Sequence, residues 1–490
     1  MVRALSELGL TALGGREANV TGLSVDSRLT QEGHLFAALP GTRSHGAEFV
    51  TYALRMGAGA ILTDREGVKI AADAIAEHNP AVIVAEDPRQ ALAYAAALFY
   101  GRQPERMVAV TGTNGKTSVA SFTRNIWQLM GQRAINIGTT GVEGDWQGES
   151  GHTTPEPITL HRILSEAAQA GVDYAAMEAS SHGLAQRRLD GVRLVAAAFT
   201  NFTQDHLDYH ETFEAYFAAK AGLFTRVLPE DAVAVLNIDD PKGVELEGLC
   251  AERGIDVMRV GQSDAADLRV MGQRFDATGQ DLRLDFLGNI SQVRLDLIGG
   301  FQAENVVVAA GLVIAAGGEP DEVFSCLSEL SGVRGRMEHA ATRENGAAVF
   351  VDYAHTPDAV ATAIQALRPH VMGRVIAVIG AGGDRDKTKR PLMGKAAADH
   401  ADVVIVTDDN PRSEDPAAIR AEVMLGAGEA IEVADRAEAI LRGVDALQPG
   451  DALLICGKGH ETGQIVGEDV FPFDDVEQAS MAVAALDGAL

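Results

Sequence analysis

The chain has 490 residues, 46% of them hydrophobic and 22% charged, enough to bury sizeable cores in about three domains. A formal charge of −28 at pH 7, with no basic stripe to offset it, argues against a nucleic-acid partner. No run approaches the roughly 18 apolar residues that cross a bilayer, MVRALSELGLTALGGREANV lacks the basic start and apolar block of a secretion signal, and Cys250, Cys326 and Cys456 form no metal or redox spacing, so a cytoplasmic protein without a membrane partner is expected.

Residues 20–50, VTGLSVDSRLTQEGHLFAALPGTRSHGAEFV, predict two short strands, a turn and a helix; taken alone, VDSR is only a strand end. The chain speaks more clearly at 106–130. RMVAV is a short β-branched run that reads as a buried strand, and SVASFTRNIWQLM carries helical spacing at Val119, Phe122, Ile126 and Leu129. Between them lies TGTNGKT, residues 111–117. Strand, glycine turn, lysine and helix form a phosphate cradle: backbone N–H groups and the helix N-terminus face the anion, Lys116 adds charge, and Thr117 can hold Mg²⁺. The pattern is shorter than the common one, with two residues rather than four between Gly112 and Gly115.

This shortened T-G-T-N-G-K-T resembles the ATP loop of the Mur ligases and of their relative folylpolyglutamate synthase, which use ATP to join an amino acid to a carboxylate. The resemblance implies that Gly112, Thr113, Asn114, Gly115, Lys116, Thr117 and Ser118 bind ATP. Further along, VDYAAMEASSHGLAQRRL (172–189) is an apolar run ending at Glu178 and breaking into a turn. An acid at the C-terminal end of a parallel strand, beside a phosphate loop, suits Mg²⁺. NFTQDHLDYH (201–210) matches the family's T-x-D-H-x-D segment, in which the histidine, here His206, binds a second Mg²⁺.

In ETFEAYFAAKAGLF (211–224), Lys220 falls on the same helical stripe as Phe213, Tyr216, Phe217 and Phe224. A lysine there either snorkels to solvent or is buried at a cost. The family pattern A-Y-F-x-x-K-x-x-L-F implies a third state, a CO₂-derived carbamate on Lys220 whose oxygens coordinate Mg²⁺. LIGGFQAENVVVAAGLVIAAG (297–317) resembles the family's adenine segment, with Asn305 at the matching asparagine and Gln302 replacing an earlier one. In SGVRGRMEHA (331–340), the stretch that joins two domains in the family, Arg336 would reach ATP phosphate.

Four apolar runs follow, in AAVFVDYAHTPDAV, RVIAVIGAGGDRDKTKRP, ADVVIVTDDNPRSEDP and DALLICGKGHETGQ, each ending in a polar loop. They predict a parallel sheet with helices on both faces and functional loops at its C-terminal edge. GAGGDR has Arg385 where a dinucleotide fingerprint needs its third glycine, so no NAD site is assigned. By resemblance, Arg385 and the Asp409-Asn410-Pro411-Arg412 loop hold the carboxylates of meso-diaminopimelate, and Gly457 and Glu461 hold its far ammonium. An alternative is that Asp408, Asp409 and Arg412 merely cap the helix that follows.

The resemblance covers nearly the whole chain. It implies an α/β protein of three domains: an N-terminal uridine-nucleotide domain (1–103), a central parallel-sheet ATPase domain (104–336) and a C-terminal Rossmann-like domain that binds the amino acid (337–490). Val25, Ser27 and the Thr42-Arg43-Ser44 loop would contact UDP-MurNAc-L-Ala-D-Glu. His152, Thr153, Thr154, Ser180, Gln186 and Arg188 would complete that site, with Arg187 adding positive charge. The implied reaction is ATP-dependent ligation in peptidoglycan precursor synthesis, catalysed through Lys116, Glu178, His206 and carbamylated Lys220, in a monomer. Folylpolyglutamate synthase, a lysine-adding cell-wall ligase and a non-catalytic ATP-switched binding module are the competing readings. VDSR and DDNPR argue against the first, and the retained Lys116, Thr117, Glu178, His206 and Lys220 against the last.

Overall fold

The computed structural model describes residues 2–41, 44–203, 207–210 and 212–488, with the backbone alone at 207 and 208. Three parallel-sheet units follow one another along the chain. The first has four parallel strands, Gly22–Ser24, His34–Ala37, Ala60–Thr63 and Ala81–Val84, neighbours in sequence order. Helix Pro88–Tyr100 covers it with Leu92, Ala95, Ala96 and Phe99, and Asp87 caps the helix by accepting from Gln90 N.

The second unit is a ten-stranded sheet whose order places Arg106–Thr111 between Leu194–Phe199 and Tyr174–Glu178. Ala134–Gly138 lies beyond Tyr174–Glu178, so the chain crosses over the loop that follows Thr111. A crevice outside strand ends at such a crossover is where ligands bind in open α/β sheets. The centre is parallel and buried on both faces. This accounts for the unbroken apolar runs in these strands. Helix Lys116–Leu129 and helix Gly300–Ala315 pack on one face, and helices Pro157–Gln169 and Pro241–Arg253 on the other. The far edge, Leu268–Asp276, Gly279–Phe286 and Asn289–Leu295, is an antiparallel meander.

In the third unit, Ala348–Asp352, Ala452–Cys456, Val375–Ile379 and Val403–Val406 lie side by side and parallel, with apolar clusters on both faces, as the four apolar runs predict. An antiparallel strand, Glu338–Thr342, borders one edge. The fully buried pair Arg436–Asp475, 2.7 Å apart, ties two helices beneath this sheet. No described helix is long and apolar enough to cross a membrane.

The units are joined by specific contacts. Arg187 Nε donates to Asp87 Oδ2 at 2.8 Å and Ser165 Oγ to Tyr100 O at 3.2 Å, linking the first unit to the second. Gly299 N donates to His370 Nε2 at 3.0 Å, and Arg334 pairs with Asp474 at 2.7 Å, linking the second to the third.

Candidate active site

Parallel register sets the first constellation. Glu178 is level with Val110, and Phe199 with Thr111, so three loops leave the sheet at one edge. The loop 112–115 opens with Gly112 at φ 148° and closes with Gly115 at φ 87°, both in backbone territory that favours glycine. A Cβ at Gly112 would collide with Thr200 Oγ1, and one at Gly115 with the Asn305 amide oxygen. Thr200 Oγ1 donates to Asn114 O at 2.6 Å, Asn114 N donates to Asn201 Oδ1 at 2.9 Å, and Thr113 N donates to Asn201 O at 2.8 Å. Helix Lys116–Leu129 then starts with no side chain capping its first turn. Uncapped N–H groups and the helix dipole converge there, the arrangement that receives a phosphate.

Lys116 Nζ donates to Gly112 O at 3.0 Å and to Thr113 O at 2.8 Å. Lys220 is 1% exposed, and its Nζ donates to the same Gly112 oxygen at 2.6 Å while lying 4.5 Å from the centre of the Tyr216 ring. Lys220 therefore does not reach solvent. Its helix ends at Gly222 and runs on into a π-turn, Leu223–Val227, and Phe213 is partly exposed, so the aromatic stripe is narrower than the spacing predicts. Glu178 is buried; its Oε1 accepts from Thr139 N at 2.8 Å and its Oε2 from Thr139 Oγ1 at 3.3 Å. Arg336 donates to Thr117 Oγ1 at 3.1 Å and lies 4.7 Å over the Tyr353 ring, so it bridges the start of helix Lys116–Leu129 and the loop after strand Ala348–Asp352. His206, like Asp205, lies outside the described residues.

Next to Glu178 is a second group. Thr154 Oγ1 donates to Glu178 O at 2.8 Å and accepts from Ser180 N at 3.0 Å, and Thr153 and Thr139 hydroxyls are 3.1 Å apart. Arg188 donates to Thr154 O at 2.7 Å and to Gln186 Oε1 at 2.9 Å, and Gln186 donates to Tyr209 OH at 3.1 Å. Burial lowers the Arg188 pKa from its usual value. Arg187 does not join this group: its ion pair with Asp87 corrects the expectation of a two-arginine cluster. His152 and Ser44 are exposed, Val25 is exposed and Ser27 is buried in the first unit, while Thr42 and Arg43 lie outside the described residues.

The third constellation is at the C-terminal edge of the last sheet. Arg412 has φ 51°, with its N–H donating to Ile465 O at 3.1 Å and its carbonyl accepting from Gly467 N at 2.7 Å. Its guanidinium donates to Gly383 O at 2.8 Å, and Gly383 N donates to Asn410 O at 2.9 Å. Ser413 Oγ donates to Asp384 Oδ1 at 2.6 Å. The Arg385 and Arg412 loops are thus laced together, with Arg385 itself exposed. The capping alternative fails: Asp415 caps helix Pro416–Met424, Asp408 pairs with Arg420, and Asp409 accepts from Asn410 N at 2.6 Å. Asn410 Nδ2 donates to Glu461 Oε2 at 2.8 Å, and a Cβ at Gly457 (φ 116°) would collide with Asp409. His460 stacks 4.9 Å from Tyr353; burial and the neighbouring Arg336 and Arg334 push it down to about 4.

Thr139, Asn201, Tyr353 and Lys458 shape these sites and were not singled out from the sequence. Tyr353 directly follows a buried strand end, a position that carried a usable signal. Nothing in the spacing around Thr139 or Lys458 marks them.

Residues 19–100, 110–313 and 335–459 match family models described as Mur ligase family, catalytic domain; Mur ligase middle domain; and Mur ligase, glutamate ligase domain. A protein of Brucella melitensis named UDP-N-acetylmuramoyl-L-alanyl-D-glutamate–2,6-diaminopimelate ligase is 49% identical over 472 residues, covering 96% of this chain and 95% of its own. The chain belongs to the Mur ligase family. A relative of the same name from Agrobacterium fabrum is 47% identical over 99% of this chain and 97% of its own. A solved structure with that name superposes with a TM-score of 0.73 at 33% identity, covering 99% of each chain. Folylpolyglutamate synthase of Mycobacterium tuberculosis, 22% identical with a TM-score of 0.63 over 81% of this chain and 95% of its own, shares the Mur ligase fold alone.

Proposed function

We propose that this protein joins meso-2,6-diaminopimelate to UDP-N-acetylmuramoyl-L-alanyl-D-glutamate at the expense of ATP, in the cytoplasmic assembly of peptidoglycan precursors. It is an ATP-dependent acid–amino-acid ligase. Near-half identity over almost the full length of relatives that bear this activity in their names is the observation that carries the reading. The domains are taken as 1–103 for the uridine nucleotide, 104–336 for ATP and 337–490 for the amino acid, working as a monomer.

In this reading the D-glutamyl side-chain carboxylate attacks the γ-phosphorus of ATP, and ADP leaves. The neutral amine of diaminopimelate attacks the resulting acyl-phosphate carbon, and the tetrahedral intermediate loses a proton from nitrogen and expels phosphate as the amide forms. The helix N-terminus at Lys116 and the Lys116 ammonium hold the transferring phosphoryl group. Arg336, stacked on Tyr353, follows the phosphates from the linker, and Asn305, against Gly115, meets the adenine. Arg188, held by Thr154 and Gln186, faces the sugar-nucleotide peptide with Ser180 and Thr153.

The donor set suits Mg²⁺. Thr117 and Glu178 supply hard oxygens, and Mg²⁺ at nucleotides takes one or two carboxylates with phosphate and water. Thr117, Glu178, His206 and a Lys220 carbamate would hold the metal, which when bound neutralises phosphate charge. Two ammonium groups share Gly112 O, so conversion of Lys220 to an anion also removes a like-charge repulsion.

ADP release from the purified protein is expected to require both the UDP-linked dipeptide and an amino acid, with meso-diaminopimelate supporting turnover; ADP release that ignores both would sink the ligase reading. Lys116→Ala is expected to lower ATP use by roughly 10- to 100-fold, the worth of one charge-assisted hydrogen bond. Thr117→Ala is expected to raise the Mg²⁺ requirement. Calorimetric binding of the sugar nucleotide without ATP is expected to survive both changes, and unaffected ATP turnover in both would reduce the loop to a turn.

A further inference from the structure

Lys458 follows the strand Ala452–Cys456 and is 0% exposed. Its ammonium makes three hydrogen bonds, to Gly463 O at 2.6 Å, Asn410 Oδ1 at 3.0 Å and Glu461 Oε2 at 3.4 Å. Asn410 closes the figure. Its Nδ2 donates to the same Glu461 Oε2 at 2.8 Å, and its Oδ1 also accepts from Ile465 N at 2.9 Å. Lys458, Asn410 and Glu461 are therefore bonded pairwise, and each bond constrains the others. Only donors meet Asn410 Oδ1, so the amide cannot flip without setting its N–H groups against an ammonium and a backbone N–H. Glu461 Oε2 receives two donors, whereas Oε1 accepts no hydrogen bond among the described residues.

The network also fixes a hairpin. Gly463–Val466 and Asp469–Pro472 form a two-stranded ribbon apart from the main sheets. Lys458 holds its first residue, Asn410 holds Ile465, and Gln464 Nε2 donates to Asp409 O at 2.7 Å. The same ribbon holds both backbone groups of Arg412 in its left-handed conformation. Such a conformation is strained in a residue with a side chain and persists only where surroundings over-determine it. One buried cation thus anchors the carboxylate that would meet the ligand's ammonium and the ribbon that aims the arginine for its carboxylate.

We infer that Lys458 is a positioning residue for amino-acid recognition: it touches no substrate, and acts by orienting Glu461 and, through Asn410 and the ribbon, Arg412. A neutral side chain cannot fully replace it, because Glu461 would lose a charged donor and Asn410 Oδ1 would lose one of the two donors that fix its amide. This rests on the reading that these loops hold meso-diaminopimelate.

The test is steady-state kinetics of full-length Lys458→Met, with Lys458→Gln as a second variant, alongside Glu461→Gln and the double variant Lys458→Met/Glu461→Gln. The KM for meso-diaminopimelate is expected to rise roughly 10- to 100-fold in Lys458→Met, the usual effect of losing a group that orients a ligand-holding side chain, and less in Lys458→Gln. KM values for ATP and the UDP-linked dipeptide are expected to stay within about twofold, the scatter of an indirect effect. The double variant is expected to be little worse than Glu461→Gln alone, since residues acting as one unit are non-additive. An unchanged KM for meso-diaminopimelate, equal losses toward all three substrates, additive effects, or loss of the folded state in both variants would each overturn the assignment in favour of no role or a purely structural one. A wild type that turns over but is indifferent to meso-diaminopimelate would overturn the functional reading, and this inference with it.

Discussion

Lys220→Ala is expected to lose turnover by roughly 10²–10³-fold or more, the scale seen when one electrostatic group at a reacting centre is removed, while the protein stays folded. The side chain is buried, and its ammonium donates to Gly112 O and lies over the Tyr216 ring. Gly112 O keeps Lys116 as a donor in the variant. The loss is expected to fall mainly on chemistry, with circular dichroism and thermal unfolding checking that the fold is kept. Two explanations of such a loss make different predictions. If Lys220 acts as a cation that steadies the phosphate loop, Lys220→Arg should retain much of the activity. If it acts as a carbamate, arginine cannot take up CO₂ and should be as poor as alanine, and a short-chain carboxylic acid in excess should partly restore Lys220→Ala. Near-normal turnover of Lys220→Ala in CO₂-depleted buffer would remove Lys220 from the mechanism.

Arg412→Ala is expected to lose diaminopimelate use by at least about tenfold, since removing a buried charge-assisted contact costs on the order of 2–5 kcal/mol. Diaminopimelate and lysine share a long chain ending in an amine; only diaminopimelate has a carboxylate beside it. An arginine fork grips a carboxylate through two parallel hydrogen bonds, which lysine cannot return. In the structure one arm of Arg412 is fixed on Gly383 O, and its backbone is fixed on Ile465 and Gly467. The guanidinium is thereby held in place before any ligand arrives, which reduces the entropy lost on binding. The wild type should use meso-diaminopimelate far better than L-lysine, and Arg412→Ala should lose that preference without becoming a good lysine enzyme. Equal wild-type rates with the two amino acids at matched, sub-saturating concentrations would overturn the specificity assignment and leave the ligase assignment standing.

Local signals made the strand, glycine turn and helix of residues 106–129 legible from sequence: a β-branched run, two glycines, which the structure places at positive φ, a lysine, and helical spacing. The four apolar runs of the last unit were legible for the same reason, since strands buried on both faces lose their alternation and become continuous. The partners that hold these motifs were not. Thr139 meets Glu178 because the strand Ala134–Gly138 lies beside Tyr174–Glu178, a neighbourhood set by crossover and invisible to spacing. Arg187 and Arg188 look alike in sequence, yet one faces Asp87 in the preceding unit and the other faces Thr154. Lys458 stands in a polar, glycine-rich loop, yet it is fully buried, with its ammonium on Asn410, Glu461 and Gly463. Where a residue's role depends on what the fold brings opposite it, composition and periodicity carry no information about that role.

The most direct test of the central claim is isotopic. The D-glutamyl side-chain carboxylate of the UDP-linked dipeptide is labelled with ¹⁸O, the reaction is run with ATP and meso-diaminopimelate, and the released phosphate is analysed by mass. Activation of that carboxylate at the phosphate loop predicts one ¹⁸O transferred to phosphate for each amide bond formed, because the oxygen that attacked ATP departs with the phosphoryl group. Peptide product accompanied by unlabelled phosphate would contradict it.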